Sequence, residues 1–174
     1  MKRCIKLNNL SDIKDLYNVF LIDLWGVIHN GIAVFENVIP VLENLKQKNK
    51  MVFFITNAPR RSSVISQQLE EFGIAKGLYK KIVSSGELTW HNIKEKYQNK
   101  NCLMIGPPRD NHLIEGLNVK IVDKDSDVDI ILNTGPWGDD DCLENYTELL
   151  DCLAKKGSNM ICSNPDKTVV RGEN

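Results

Sequence analysis

The stretch Phe20-Leu21-Ile22-Asp23-Leu24-Trp25-Gly26-Val27-Ile28 places an aspartate at the end of an apolar run and a glycine three residues later. Such a run is typical of a buried strand, where aspartate is a poor strand former and an unpartnered carboxylate is costly. Gly26 permits a sharp exit from the strand. Because open α/β sheets bind ligands beyond the carboxyl ends of their strands, Asp23 is a candidate catalytic residue. The alternative is a structural acid that caps a helix or pairs with a lysine.

A second apolar run, residues 51–55, ends in the same way. Thr56 and Asn57 follow it, and Pro59 then precedes an amphipathic stretch. A hydroxyl, an amide and free backbone N–H groups at a helix start can bind phosphate. Thr-Asn before Pro is also an ordinary way to begin a helix, and this interpretation stays open.

Short apolar runs alternate with amphipathic helical segments along the whole chain. This order predicts an α/β protein in which helices cover a parallel sheet. Gly73 and Gly157 are predicted to end two of the helices. The predicted strands are residues 19–24, 51–56, 81–84, 102–105, 129–132 and 159–162, and the helical faces centre on residues 41–45, 64–72, 88–97 and 143–153.

Composition excludes several classes of function. The 174 residues are 42% hydrophobic and carry a net charge of −1 with no basic cluster, which disfavours nucleic acid and membrane surfaces as partners. The basic N-terminus has no apolar segment behind it, so we expect no signal peptide. Five cysteines, an odd number without paired spacing, predict reduced thiols in a cytoplasmic protein.

Taken together, these stretches resemble the haloacid dehalogenase (HAD) superfamily. The details are similar to class IIA, the NagD and p-nitrophenylphosphatase-like branch, and within it to bacterial members with Trp at the second position of the first motif. The similarity covers nearly the whole chain. Its main elements are Phe20 to Ile28, Gly26-Val27-Ile28-His29-Asn30-Gly31, Phe53-Phe54-Ile55-Thr56-Asn57 and Ser163-Asn164-Pro165-Asp166.

The resemblance implies a partial Rossmann-like core in residues 1–86 and an inserted C2-type α/β cap in residues 87–174. It implies that Asp23 attacks phosphorus and forms an aspartyl-phosphate, with a small phosphorylated metabolite as the substrate. Asp23 and the backbone carbonyl of Trp25 would hold Mg²⁺, and Thr56 and Asn57 would bind the phosphoryl group. It also implies that Asn164 and Asp166 lie where the cap returns to the core, without a defined role.

The sequence departs from the family pattern in two places. Trp25 stands where most family phosphatases have an acidic general acid and base, so it either slows catalysis or simply fills a pocket. The lysine and acidic motifs that complete the family's site follow the cap, where this chain ends. We therefore expect a truncated, impaired enzyme whose first strand forms an exposed edge and pairs with a second copy.

Other polar groups are weaker candidates. His91 and His112 are predicted to be surface or packing residues, and His29 does not replace the lysine either. The acidic run of residues 139–141 is interpreted as the start of a helix, with a metal cluster as the alternative. Two further functions are considered: a non-catalytic remnant that binds phosphometabolites, and a receiver-like domain phosphorylated on Asp23. The receiver ranks last because an additional acidic pair near the first strand is absent.

Overall fold

The computed structural model describes residues 6–7, 9–138 and 140–166. These residues form two compact units. Of the described residues, the first unit contains residues 6–7, 9–55 and 66–82, and the second contains residues 56–65, 83–138 and 140–166. The predicted division into a core of residues 1–86 and a cap beginning at residue 87 stays a prediction.

A three-stranded sheet contains β1 (Val19–Asp23), β2 (Met51–Thr56) and β3 (Lys81–Ser84), in the order β1-β2-β3. The first two strands run parallel, in a register that pairs Val19 with Met51 and Asp23 with Ile55. β1 is therefore the edge of this sheet among the residues that the structure describes. The predicted parallel α/β architecture is confirmed.

Two helices follow the first two strands. In α1 (Val38–Gln47) the side chains of Leu42 and Leu45 are buried, as the predicted helical face requires, although Val41 is partly exposed. In α2 (Ser62–Glu71) the buried residues are Ile65 and Leu69. The chain leaves α2 through Gly73 at φ +86°, the left-handed conformation that glycine adopts readily.

The prediction that residues 19–24 form a buried strand holds for only one face of β1 among the described residues. Phe20 is 8% exposed, but Val19 is 44% and Leu21 65% exposed. These two side chains share one face because side chains alternate along a strand. The apolar run indicated a strand correctly, but hydrophobicity alone did not report which face other residues cover.

The second unit contains a four-stranded, wholly parallel sheet in the order β5-β4-β6-β7. The structure gives its elements as α3 (Ser85–Lys96), β4 (Asn101–Ile105), β5 (Lys120–Val122), β6 (Ile130–Asn133), α4 (Glu144–Lys155) and β7 (Asn159–Cys162). Three of these strands were predicted to within one residue at each end. β5 was missed because it has only three residues and presents no long apolar run.

Apolar side chains pack on both faces of this sheet. One cluster includes Ile93 of α3, and the other includes Tyr146 and Leu153 of α4. Burial on both faces is typical of parallel sheets covered by helices. Leu143, predicted to share the apolar face of α4, instead precedes the helix and is 73% exposed.

The described cysteines are free thiols. Cys102 is buried, and burial raises the pKa of its thiol to about 11. Cys142, Cys152 and Cys162 are exposed, while Cys4 lies outside the described residues. Within the described part of the chain, no helix combines the length and the apolar character needed to cross a bilayer.

Candidate active site

Asp23 is the last residue of β1, and its side chain is exposed. Its Oδ1 accepts a hydrogen bond from the backbone N–H of Leu24 at 2.8 Å. The strand register pairs Asp23 with Ile55, and Thr56 then ends β2. The predicted nucleophile therefore sits at the carboxyl end of a parallel strand, with an accessible carboxylate.

A compact turn follows Asp23. The backbone N–H of Ile28 donates to the carbonyl of Leu24 at 2.8 Å, and both side chains are buried. Gly26, at φ +78°, donates its N–H to the carbonyl of His29 at 2.9 Å. These bonds anchor Leu24 and Gly26 and so hold the backbone on either side of residue 25 in one conformation.

The Trp25 indole packs within this turn. A Cβ added to Gly31 would lie 2.4 Å from Trp25 Cη2, so the ring occupies the space that a side chain at residue 31 would need. The His29 ring makes an edge-on contact with the indole at 5.6 Å between centroids. His29 is itself buried, and its Nδ1 accepts from Gly31 N–H at 3.1 Å. This geometry favours the interpretation of Trp25 as a packing residue.

The predicted metal ligands are both oxygen atoms, the carboxylate of Asp23 and the backbone carbonyl of Trp25. Mg²⁺ prefers oxygen ligands and takes one or two carboxylates with several waters, so the donor chemistry fits this ion. Within the described residues, no group of three or more acidic, histidine or cysteine side chains forms a ready cation site.

The segment after β2 carries the predicted phosphate-binding groups. Thr56 is 7% exposed, and its Oγ1 accepts a hydrogen bond from the N–H of Ala58 at 3.2 Å. The chain therefore turns directly after β2. Asn57 is exposed, and its Nδ2 donates to Asp166 Oδ2 at 2.5 Å. Asn164 Oδ1 lies 3.5 Å from the same nitrogen. The two residues that the sequence left without a role thus meet Asn57.

This segment is fastened to the start of α3 by contacts that the sequence did not predict. The Ser84 hydroxyl donates to the carbonyl of Arg60 at 2.6 Å, and Gly86 N–H donates to the carbonyl of Ala58 at 3.1 Å. A Cβ at residue 86 would lie 2.3 Å from the backbone nitrogen of Arg60. The small residues 84–86, at the end of the predicted core segment 1–86, permit this close approach.

Glu87 completes the attachment. Its Oε2 accepts from the backbone N–H of Ser62, the first residue of α2, at 2.9 Å. The side-chain hydrogen bond from Arg61 is the main cause that lowers the pKa of Glu87, and the Ser62 N–H adds to it while burial opposes both. The Arg61 guanidinium also lies 4.1 Å from the centroid of the Trp90 ring.

The weaker candidates are accounted for by local contacts. The His91 side chain is 65% exposed and lies 3.5 Å from Glu87, whereas His112 Nδ1 is 2.7 Å from the carbonyl of Arg109. The Asp141 carboxylate accepts hydrogen bonds from the Tyr146 hydroxyl and from Gly138 N–H, ahead of the first turn of α4. Residue 139 of the acidic run lies outside the described residues.

A family model described as "Haloacid dehalogenase-like hydrolase" matches residues 20–120, more than half of the chain. The chain belongs to the haloacid dehalogenase-like hydrolases. The matched residues include the β1 and β2 segments with Asp23, Thr56 and Asn57. No curated protein sequence matches significantly.

Solved structures of haloacid dehalogenase-like hydrolases share this fold. One such hydrolase, from Brucella suis 1330, is 31% identical, covers 97% of this chain and has a TM-score of 0.86. A p-nitrophenyl phosphatase from Archaeoglobus fulgidus is 23% identical, covers 86% and has a TM-score of 0.67. A glycerol phosphate phosphatase from Mycobacterium tuberculosis, in complex with magnesium, is 19% identical, covers 90% and has a TM-score of 0.66.

The likeness to the archaeal phosphatase agrees in fold with the class IIA prediction. The chain spans 62%, 56% and 47% of the length of the Brucella, Archaeoglobus and Mycobacterium structures, respectively. Identities of 19% and 23% establish the fold alone, so the Trp-containing branch and the truncation predicted from the sequence stay predictions.

Proposed function

We propose that this hydrolase cleaves a small phosphate monoester through an aspartyl-phosphate on Asp23, with Mg²⁺ as the cofactor. The observation that carries the proposal is the position of Asp23, an accessible carboxylate on the last residue of a parallel strand in a family of hydrolases. Solved relatives named as phosphatases support the reaction class, and one of them is a complex with magnesium.

In the first step a carboxylate oxygen of Asp23 donates an electron pair to phosphorus, and the bond from phosphorus to the leaving oxygen breaks. The leaving group departs with the electron pair of the broken bond. In the second step water attacks the phosphorus of the aspartyl-phosphate, the Asp23–phosphorus bond breaks, and inorganic phosphate is released. Thr56 and Asn57 would donate hydrogen bonds to the phosphoryl oxygens in both steps.

When bound by Asp23 and the Trp25 carbonyl, Mg²⁺ would neutralise part of the phosphoryl charge. The N–H of Leu24 already holds Asp23 Oδ1, which fixes the rotation of the carboxylate. One side of the carboxylate is therefore oriented by the chain itself, and the other oxygen is the better placed nucleophile.

The tryptophan at position 25 allows a prediction of which leaving groups react best. A general acid typically contributes about 10²- to 10⁴-fold to the rate, and an indole cannot supply a proton at neutral pH. Leaving groups that are stable as anions, such as acyl phosphates and activated phenols, should therefore react best. For other monoesters we propose that this chain is impaired.

The test is hydrolysis of p-nitrophenyl phosphate by the 174-residue chain with Mg²⁺. We expect slow release of nitrophenol that disappears when EDTA removes the metal. Asp23→Asn should lower the rate at least about 10³-fold, because the amide is a poor nucleophile. Asp151→Asn, an exposed acid on α4, serves as the matched control and should leave the rate unchanged. Equal rates for wild type and Asp23→Asn would refute the assignment of Asp23 as the nucleophile.

A second candidate function is binding of a phosphorylated metabolite without turnover. It is favoured by the packing of Trp25 over Gly31, a structural use of the position where an acid would otherwise work. Isothermal titration with inorganic phosphate separates the two functions. If the chain binds phosphate but shows no Asp23-dependent hydrolysis of p-nitrophenyl phosphate, the binding function is supported and the enzymatic function is excluded.

A further inference from the structure

Asn57 and Asp166 are joined by a hydrogen bond across 109 positions of sequence. Asn57 Nδ2 donates to Asp166 Oδ2 at 2.5 Å, and both residues belong to the second unit. Asn164 Oδ1, at 3.5 Å, lies at the limit of hydrogen bonding, so Asp166 is the principal partner. Nothing in the sequence pattern pairs these residues.

Asp166 is held in place by the backbone around it. Its N–H donates to Asn164 Oδ1 at 3.2 Å, which closes a short turn around Pro165. Ser163, the residue before this turn, is fully buried, and its N–H donates to the carbonyl of Asn133 in β6 at 2.9 Å. The turn therefore begins at a residue that is hydrogen-bonded to the sheet, and the Asp166 carboxylate reaches Asn57 from this turn.

The chemistry of this pair determines how the Asn57 amide is oriented. An ionised carboxylate only accepts hydrogen bonds, so it selects the NH₂ end of the amide over the carbonyl end. One N–H is used by Asp166, and the amide carries a second one. Without the carboxylate the side chain would rotate among rotamers, and ordering it on binding would cost free energy.

We propose that Asp166 is a positioning residue that orients the Asn57 amide so that its second N–H donates to the phosphoryl group of the substrate. This inference rests on the proposed role of Asn57 in phosphate binding. It assigns a use to an acid that makes no contact with the reacting atoms.

The test reads the Asn57 side-chain NH₂ resonances of the full 174-residue chain by ¹H–¹⁵N NMR, assigned by their loss in Asn57→Ala. In wild type we expect a well-dispersed pair that exchanges slowly with solvent and shifts when inorganic phosphate is added. In Asp166→Ala the pair should collapse toward the values of a free amide. The dissociation constant for phosphate should rise by about three- to tenfold, because one oriented hydrogen bond is lost.

Two further variants keep the outcome interpretable. Asp166→Asn retains an acceptor oxygen but loses the negative charge, so its Asn57 dispersion and its phosphate affinity should fall between those of wild type and of Asp166→Ala. Asp151→Ala, an exposed control on α4, should behave as wild type. If Asp166→Ala misfolds, as judged from the backbone amide spectrum, the comparison of Asp166→Asn with wild type decides.

The inference is overturned if Asp166→Ala, or the deciding Asp166→Asn, leaves the Asn57 resonances unchanged. It is equally overturned if phosphate fails to shift those resonances in wild type. Failure of the proposed hydrolysis appears separately, as equal turnover by wild type and Asp23→Asn. Phosphate binding controlled by Asp166 but without such turnover would sustain the positioning role and reject the enzyme.

Discussion

The carboxylate of Glu87 accepts hydrogen bonds from the Arg61 guanidinium, with Nε at 2.9 Å and Nη2 at 3.2 Å. This two-point geometry is the strong form of an ion pair, and both side chains are only about a fifth exposed. Because Glu87 also accepts from Ser62 N–H, it ties the segment that carries Asn57 to the first turn of α3.

Glu87→Gln should lower the free energy of unfolding by about 1–3 kcal/mol, because Arg61 loses its charged partner in a half-buried setting. Urea unfolding followed by circular dichroism measures this change. Glu95→Gln, on the exposed face of α3, is the matched control and should change stability by less than about 0.5 kcal/mol. Equal stability of the two variants would contradict the ion pair.

The Glu87 contribution should depend on pH in a defined direction. The hydrogen bond from Arg61, with smaller help from Ser62, lowers the pKa of Glu87 below its ordinary value of 4.5. As pH falls, Glu87 is therefore protonated in the unfolded chain before it is protonated in the folded one. The stabilisation by Glu87 is fully present above pH 4.5 and is lost as pH falls through the folded-state pKa. Unfolding of wild type and Glu87→Gln, measured between neutral pH and the onset of acid denaturation, should show the difference between them shrinking below 4.5. A constant difference would count against this linkage.

Gly31→Ala should destabilise the turn after β1 more than its backbone angle alone requires. Gly31 has φ +87°, and a Cβ there would also meet the Trp25 ring. Gly116 has φ +73° with nothing within 4 Å of its added Cβ, so Gly116→Ala reports the backbone cost alone, about 1–2 kcal/mol. Thermal unfolding should show Gly31→Ala to be less stable than Gly116→Ala by a further ~1–3 kcal/mol. Similar losses would mean that the indole moves aside freely.

Trp25→Asp should shift substrate preference toward monoesters with poor leaving groups. The new carboxyl group can protonate the leaving oxygen, so the rate on phenyl phosphate should rise relative to p-nitrophenyl phosphate by about tenfold or more. The variant should also be less stable, because the packing on Gly31 is removed. Trp25→Asn loses the same packing without gaining a proton donor. The prediction is wrong if both variants show the same ratio of rates.

The predicted homodimer would use the β1 edge. Among the described residues β1 is the edge strand of its sheet, and Leu21 on its open face is 65% exposed, so pairing with a second copy would cover both. In sedimentation velocity at micromolar concentration we expect a dimer for wild type and a monomer for Leu21→Arg. Leu88→Arg, at an exposed leucine on α3, should leave the dimer intact. A monomeric wild type would reject this interface.

The sequence predicted the strands well because each is an apolar run bounded by turn residues, and residues 51–56, 81–84 and 159–162 match the structure at both ends. It overestimated the burial of β1, since apolar pattern does not say whether a face is covered. That Trp25 departs from the family pattern stays a prediction, and the contact of its indole with Gly31 could be found only in the structure.

The sequence could propose candidate site residues only where they lie next to a strand end. Asp23, Thr56 and Asn57 follow directly from the position of the carboxyl ends of β1 and β2. The supports of Asn57 could not be found in this way. Asp166 binds the Asn57 side chain, and Glu87 binds Ser62 in the segment after it, in both cases from distant positions through side-chain hydrogen bonds. Such partners leave no periodic signal in the sequence.

The distance along the chain between Asn57 and Asp166 also sets an order of events during synthesis. Ribosomes add about 5–20 residues per second, so Asn57 waits roughly 5–20 s before Asp166 is made, 109 positions later. Throughout that interval the Asn57 amide is hydrated and free to rotate. The hydrogen bond that we propose orients Asn57 toward the phosphoryl group can therefore form only after residue 166 is made, long after β1 and β2 can pair.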